Sequence, residues 1–364
     1  MRRVIRWLLL RPVLWASAKF SSKPDRPRIF NALTKLYDEI IKNPGKKGLV
    51  IPFETHSGKF IIFSDQHKGA RNGADDFAMA EPNYLFALDY YNRNNFHFIS
   101  LGDNEELWEN TLSQVKKYNE KTFQAEKKFI DRLAFVKIFG NHDLYWQNDP
   151  FASLQLKNIY KTDVTIYEAV ILAVTTRNQT LHIFCTHGHQ GDSQSDGNWF
   201  SKFFVSNIWG PLQAYLRINP NTPAYNSEKK TLHNEIMYDW AAAQKDMLLI
   251  TGHTHQPVFE SLTLLEYLYK ELQAAKKDKN MADIEELKKK IGYSERAFAA
   301  VVVDYLTMKP VYFNSGCCCF SDGDITGIEV EDGYIRLIKW TQKDERPQRF
   351  VLQQVLLEQL ITGL

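Results

Sequence analysis

The chain is poor in several of the features that would mark its class at a glance. It has only four cysteines in 364 residues, three of them adjacent (Cys317, Cys318, Cys319) and the fourth at Cys185. Neighbours in a strand point to opposite faces, so these do not make a disulfide framework, and a reducing, cytoplasmic compartment is expected. Neither charge sign is in excess. The 45 Lys and Arg against 43 Asp and Glu leave +2, without the basic surplus of a dedicated nucleic-acid coat. There is no internal repeat and no low-complexity tract. What is there, 44% hydrophobic and 24% charged, is too apolar for a disordered chain and long enough for one large domain or two smaller ones.

One charge asymmetry stands out. Residues 1–28 carry eight cations against Asp25, so +7 sits there and the remaining chain is about −5. The stretch VIRWLLLRPVLW is interrupted by Arg6 and Arg11, well short of the roughly 18 apolar residues of a spanning helix. The same arginines make it a poor cleaved signal peptide. Residues 1–45 are therefore assigned as a basic amphipathic N-terminal segment. Its first 28 residues suit peripheral contact with an anionic membrane at its inner face, Trp7 and Trp15 buried and the arginines among headgroups. A helix packed on the domain itself is the equal alternative.

From Gly58 onward the apolar runs are short, β-rich and end in polar clusters: FIIFSDQH, FHFISLGD, FVKIFGNHD, LHIFCTHGH and MLLITGHTH. Each reads as a buried strand, and in α/β folds chemistry gathers at the carboxyl ends of strands. Tyr84 to Tyr91 and Gln114 to Arg132 have helical spacing and suggest crossovers. Within a domain spanning 46–345, two additions are expected: an aromatic helical insertion at 198–245 and a helical hairpin at 264–291. Later β runs are expected at Phe298 to Asp304, Val311 to Asn314, Ile325 to Val330 and Tyr334 to Trp340, with a C-terminal helix over 346–364. The hairpin and that helix are candidate surfaces for a homodimer.

The chemistry lies in the strand ends. Asp65 and His67 stand two residues apart, Asp103 follows Gly102, and Gly140-Asn141-His142-Asp143 joins an amide, an imidazole and a carboxylate. His187 with His189, and His253 with His255, each place two imidazoles two residues apart. Six of the ten histidines fall in these clusters, a mixed N and O donor set suited to borderline divalent metals.

The ordered series Asp-x-His, Gly-Asp, Gly-Asn-His-Asp, His, Gly-His-x-His, followed by Asn314-Ser315-Gly316, resembles the calcineurin-like metallophosphoesterase superfamily. The resemblance implies an α/β (α+β) fold, a four-layer β-sandwich flanked by helices. It also implies two divalent ions, manganese first with iron or zinc as alternatives. Asp65, His67 and His255 would hold one ion and Asn141, His187 and His253 the other, with Asp103 bridging. A metal-bound hydroxide would attack phosphorus in line. His142 would stabilise the transition state or protonate the leaving oxygen, Asp143 orienting its ring, and His189 and Asn104 are candidate substrate contacts.

The Gly-Asp-Asn-Glu-Glu-Leu-Trp run lacks the arginine that protein Ser/Thr phosphatases carry there, and the chain after residue 28 is too acidic to favour a nuclease. The nearer likeness is to the UDP-2,3-diacylglucosamine pyrophosphatases, which place an apolar helical insertion where 198–245 falls. This implies a phosphorylated small-molecule or lipid-linked nucleotide substrate. The chain departs from that branch in reading Asn-His-Asp where the branch has Asn-Arg-Asp, in its length, and in the 264–291 hairpin. The alternatives are a phosphomonoesterase or nuclease of the same superfamily, or a metal-binding interaction module without turnover.

Overall fold

Asp25 opens the first helix, α1 (Arg26–Lys42), by accepting from the Arg28 amide, with Pro27 in the first turn where its missing N–H costs nothing. Ile29, Leu33, Leu36 and Ile40 recur at helical spacing and bury one face. That face packs on a sheet, so residues 26–42 are part of the domain rather than of a separate segment ending at 45. The computed structural model describes residues 24–72, 75–175, 179–191, 227–278, 280–294, 307–344 and 346–362. The rest of the N-terminal segment, the expected strand at 298–304 and most of the aromatic insertion lie outside those residues.

The chain continues through β1 (Gly48–Glu54), β2 (Phe60–Phe63), α2 (Glu81–Arg93), β3 (His97–Leu101), α3 (Leu112–Tyr118), α4 (Glu120–Ile130) and β4 (Phe135–Ile138). Next come α5 (Tyr145–Asn148), α6 (Ala152–Tyr160), β5 (Ile166–Tyr167), β6 (Ala169–Thr175), β7 (Thr180–Thr186), α7 (Ser227–Ala242) and β8 (Met247–Thr251). The last part holds β9 (Val258–Phe259), β10 (Leu262–Thr263), α8 (Leu264–Lys277), α9 (Met281–Ser294), β11 (Tyr312–Asn314), β12 (Ile325–Glu331), β13 (Tyr334–Lys343), β14 (Arg346–Leu356) and α10 (Leu357–Thr362).

The described strands form two seven-stranded sheets, ordered β1-β6-β7-β8-β11-β9-β10 and β14-β13-β12-β2-β3-β4-β5. Their inner faces share one core, in which Ile62, Ile99, Ile138 and Ile328 meet Leu172, Ile183, Leu248 and Phe313. Each such side chain contributes roughly 1.5–3 kcal/mol on full burial, so this layer dominates stability. Outside the first sheet lie α1 and α7, whose Ile236, Met237, Trp240 and Ala241 pack on Ile171, Phe184 and Leu249. Outside the second, Tyr84, Leu88 and Tyr91 of α2 and Phe129 of α4 cover Phe63, Phe98 and Trp340. This is the four-layer α/β sandwich that the resemblance implied.

Three expectations are corrected. Residues 227–242 of the insertion form α7, a layer of the fold and not an addition to it. The helical run over 114–132 is two helices broken at Asn119, whose side-chain amide donates to Gly69 and Val115 carbonyls. The C-terminal helix is only Leu357–Thr362. Residues 346–356 form β14, paired antiparallel with β13 from Tyr334↔Leu356 to Lys343↔Arg346. The apolar spacing of 350–356 fits either state, and an open sheet edge decides it, because the strand's backbone groups find partners there. The hairpin α8–α9 spans 264–294 and has its own small core of Leu268, Leu272, Ile284 and Ile291. A Thr263–Glu266 capping box starts it. No helix among the described residues is long and apolar enough to cross a membrane.

Candidate metal centre

Strands β2, β3 and β4 run parallel in one sheet, and β7, β8 and β11 run parallel in the other. The carboxyl ends of both sets open onto the same region. Asp65 and His67 follow β2, Asp103 follows β3, Asn141 and His142 follow β4, His187 and His189 follow β7, and His253 and His255 follow β8. Asp65, His67, Asp103, His253 and His255 all have positive φ, between 50° and 69°. Such left-handed residues are uncommon outside glycine and cluster at functional sites, where surrounding contacts hold them. Gly102 has φ +87°, and a side chain there would meet the His187 ring at 2.6 Å.

The strand ladder continues into these loops: Asp65 N donates to Gly102 O at 3.0 Å, His67 N to Asp103 O at 2.9 Å and Lys68 N to Asn104 O at 3.0 Å. Beneath them lies a buried ionic network. Lys68 Nζ is 2.6 Å from Glu126 and 3.2 Å from Glu105, and Lys137 Nζ is 2.8 Å from Glu105. Trp146 donates to Glu105 and Tyr160 to Glu126. Burial pushes the Glu105 carboxyl up, but Lys137 and Lys68 hold it at about 2. Because Lys68 follows His67 and Glu105 lies two residues past Asp103, this network fixes both loops.

The side chains then converge. Asp103 Oδ2 lies 3.2 Å from His187 Nε2 and 3.7 Å from His67 Nε2. His255 Nε2 lies 3.2 Å from Asp65 Oδ1 and 3.2 Å from His67 Nε2. Ligand-capable atoms of Asp103, His187 and His253 fall within 4.8 Å of one another, as do those of His67, Asp103 and His142, and those of His67, His255 and Cys319. Asp103 is common to two of these groups.

The orientation of the rings tests whether metal ions fit. His187 Nδ1 donates to Leu101 O at 2.9 Å, which leaves Nε2 as a lone pair facing the Asp103 carboxylate. His67 Nδ1 pairs with Glu106 Oε2 at 3.0 Å, which likewise aims Nε2 inward. Asn141 Oδ1 and His187 Nε2 are buried with no hydrogen-bond partner among the described residues. Acceptors that face acceptors in a buried space call for a cation, so the donor set fits divalent metal. The titration tendencies express the same demand. Burial alone would lower His187 and His255, yet Asp103 and Asp65 raise the first, and Asp65 the second, each to about 9. Burial opposes ionisation of Asp103, but His187 and His142 hold it well below the usual carboxylate range.

Three assignments from sequence change or narrow. Asp143 does not orient His142. Its carboxylate accepts from Gly140 N at 2.5 Å, Asn104 N at 2.8 Å and Asn104 Nδ2 at 3.0 Å, so it is committed to loop backbone. The ring of His142 is held instead by Glu106 Oε2 at 2.7 Å, with Trp108 stacked on it at 4.1 Å between centroids. Asn104 is fully buried, and its side chain is spent on Ser100, Ile138 and Asp143; it has no group left for substrate. His189 lies beside His187 and Phe139. Burial and the neighbouring His187 push it down to about 3, so it is neutral, with Nδ1 uncommitted among the described residues.

Sequence reasoning missed Glu106 and Cys319. Glu106 accepts from two rings of the centre, and only its place in the Glu105-Glu106 pair after Asp103 hinted at it. Cys319 Sγ is 3.7 Å from His255 Nδ1. Its hint was the spacing from Cys317 in the loop after Asn314-Ser315-Gly316. Asn314 itself donates to the Gly252 carbonyl at 2.7 Å and so braces the loop carrying His253.

A family model described as calcineurin-like phosphoesterase matches residues 58–257, more than half of the chain. No curated protein matches it. Among solved structures, vacuolar protein sorting 29 from Cryptosporidium parvum is similar with a TM-score of 0.33 and 10% identity, over 83% of this chain and 99% of that one.

Proposed function

We propose that this chain, which belongs to the calcineurin-like phosphoesterase family, hydrolyses a phosphodiester or pyrophosphate bond. Two divalent ions would be held by Asp65, His67 and His255 and by Asn141, His187 and His253, with Asp103 between them. The observation that carries this reading is the buried convergence of Asp65, His67, Asp103, His187 and His255, with Asn141 Oδ1 and His187 Nε2 left without a hydrogen-bond partner among the described residues. Divalent ions bound there supply charge that attracts a phosphate, activates water and stabilises attacking and leaving oxygens.

The chain's own groups do the rest. His142, with Nδ1 fixed by Glu106 and one ring face against Trp108, presents Nε2 to protonate the leaving oxygen. Asp143 keeps the Gly140 to His142 turn closed. His189, whose Nδ1 has no partner among the described residues, would contact a phosphate oxygen. The substrate class we put first is a lipid-linked nucleotide of the UDP-2,3-diacylglucosamine kind, and manganese is the metal to try first. The aromatic content of 198–226 and the basic, tryptophan-bearing residues 1–28, which suit peripheral membrane contact, support that choice.

The test is hydrolysis of bis-p-nitrophenyl phosphate against p-nitrophenyl phosphate by Mn²⁺-loaded protein. Diester cleavage that disappears in Asp103→Asn with an unchanged far-ultraviolet spectrum is the expected result. Preference for the monoester overturns the diester reading, and an Asp103→Asn protein as active as wild type overturns the metal centre itself.

A further inference from the structure

Every ring of the centre whose Nε2 is turned inward by a partner on Nδ1 raises the question of what that partner is. For His67 and His142 it is the Glu106 carboxylate, and for His187 the Leu101 carbonyl. For His255 it is sulfur: Cys319 Sγ lies 3.7 Å from Nδ1, while Nε2 on the far side of the ring is 3.2 Å from both Asp65 Oδ1 and His67 Nε2. The thiol is held in place. Cys317, two residues back, interacts electrostatically with both Cys319 and His255. Cys318, between them, points the other way into the outer core, with Sγ 3.9 Å from the Thr326 carbonyl. Cys318 N donates to Asp65 O at 3.1 Å and Thr326 N to Cys317 O at 3.0 Å, so the loop is tied to the strand end that carries Asp65.

We propose that Cys319 is the positioning residue for His255, setting its ring so that Nε2 faces the ion shared with Asp65 and His67. One ion of the pair is thereby thiol-dependent while the other is not. Partners of this kind fix the tautomer and direction of a ligating imidazole, and their loss commonly costs about 10–100-fold in metal affinity. Sulfur is a weaker and larger acceptor than the oxygen atoms that serve His67 and His187, so the His255 subsite is the one most open to tuning.

The inference rests on the two-ion reading above, and the experiment separates the two. Full-length protein is stripped with chelator and titrated with Mn²⁺ by calorimetry, with bound metal counted by mass spectrometry. Wild type is expected to bind two ions. Cys319→Ala is expected to lose about 10–100-fold in affinity at one site and nothing at the other. Cys319→Ser, which restores an acceptor, recovers most of that loss, and Cys318→Ala matches wild type. If Cys319→Ala does not fold, the Cys319→Ser titration and Co²⁺ absorption of wild type still decide. Two unchanged sites in Cys319→Ala overturn the proposal. So does a thiolate-to-cobalt charge-transfer band in Co²⁺-loaded wild type, which would make the sulfur a ligand in its own right. Wild type that binds no ion overturns the two-ion reading along with it.

Discussion

Glu106 offers the most direct way to ask whether the rings of the centre depend on what stands behind them. One oxygen, Oε2, accepts from His67 Nδ1 at 3.0 Å and from His142 Nδ1 at 2.7 Å. Burial pushes this carboxyl up, but His142 and His67 hold it down at about 2. Glu106→Ala leaves two buried N–H groups unpaired, each at a cost of about 1–3 kcal/mol. The rings recover part of this by turning, and turning is what ruins the site. Loss of such a partner lowers metal affinity or activity about 10–100-fold, equivalent to roughly 1.4–2.8 kcal/mol. Because one ring is assigned to metal and the other to the leaving group, the losses should separate. Mn²⁺ affinity falls through His67, and turnover of bis-p-nitrophenyl phosphate stays depressed at saturating Mn²⁺ through His142. Glu106→Gln, which keeps one acceptor oxygen, should lie between. A Glu106→Ala protein that titrates and turns over like wild type would refute the assignment of both rings.

Three further outcomes follow from the packing. Lys137→Met strips Glu105 of its nearer cation in a fully buried network and should cost about 3–5 kcal/mol, read as a lower urea midpoint; an unchanged midpoint contradicts it. Trp240→Ala removes the largest side chain between α1, α7 and the sheet, together with its bond to Thr34. It should cost about 3–5 kcal/mol while Mn²⁺ affinity is retained. His182 is held below its usual pKa by burial and shares a hydrogen bond with the Tyr37 hydroxyl at 2.5 Å. The unfolded ring takes a proton near pH 6.5 and the folded ring resists it, so stability falls as pH drops from about 6.5 through the folded value. His182→Gln should flatten that part of the stability curve, and identical slopes would exclude the ring as a contributor.

The strand plan was legible because a buried run ending in a polar pair constrains both the element and the direction of its end. Asp65 with His67 and His253 with His255 were candidates by their place at strand ends, and the ordered motif series gave them their expected roles. Their supports were not candidates, since Glu106 is 39 residues from His67 and Cys319 is 64 from His255, and sequence spacing has no sign for a contact made by a loop. Adjacency misled in one place. Asp143 stands next to His142, yet its carboxylate is taken by Gly140 and Asn104, because a tight turn needs its backbone amides satisfied before it can hold a ring. Residues 346–356 could not be read correctly because Val351, Leu352, Val355 and Leu356 suit either period, and the edge of β13 that claims them is not visible in their own composition.

Asp65 and His253 are 188 residues apart, and the thiol behind His255 comes later still. A chain emerging from the ribosome therefore carries three of the four ligands proposed for each ion before the last, His255 or His253, exists. Closing so long a loop is entropically unfavourable, and strand pairing within each sheet must come first. Divalent metal bound as proposed would stabilise the finished product most, by about 2.7 kcal/mol at a hundred times its dissociation constant. A truncated or misregistered chain gains less of it. In a cell that removes unstable proteins, the ion would then serve as a mark of completed synthesis, retaining the chains in which every strand has reached its place.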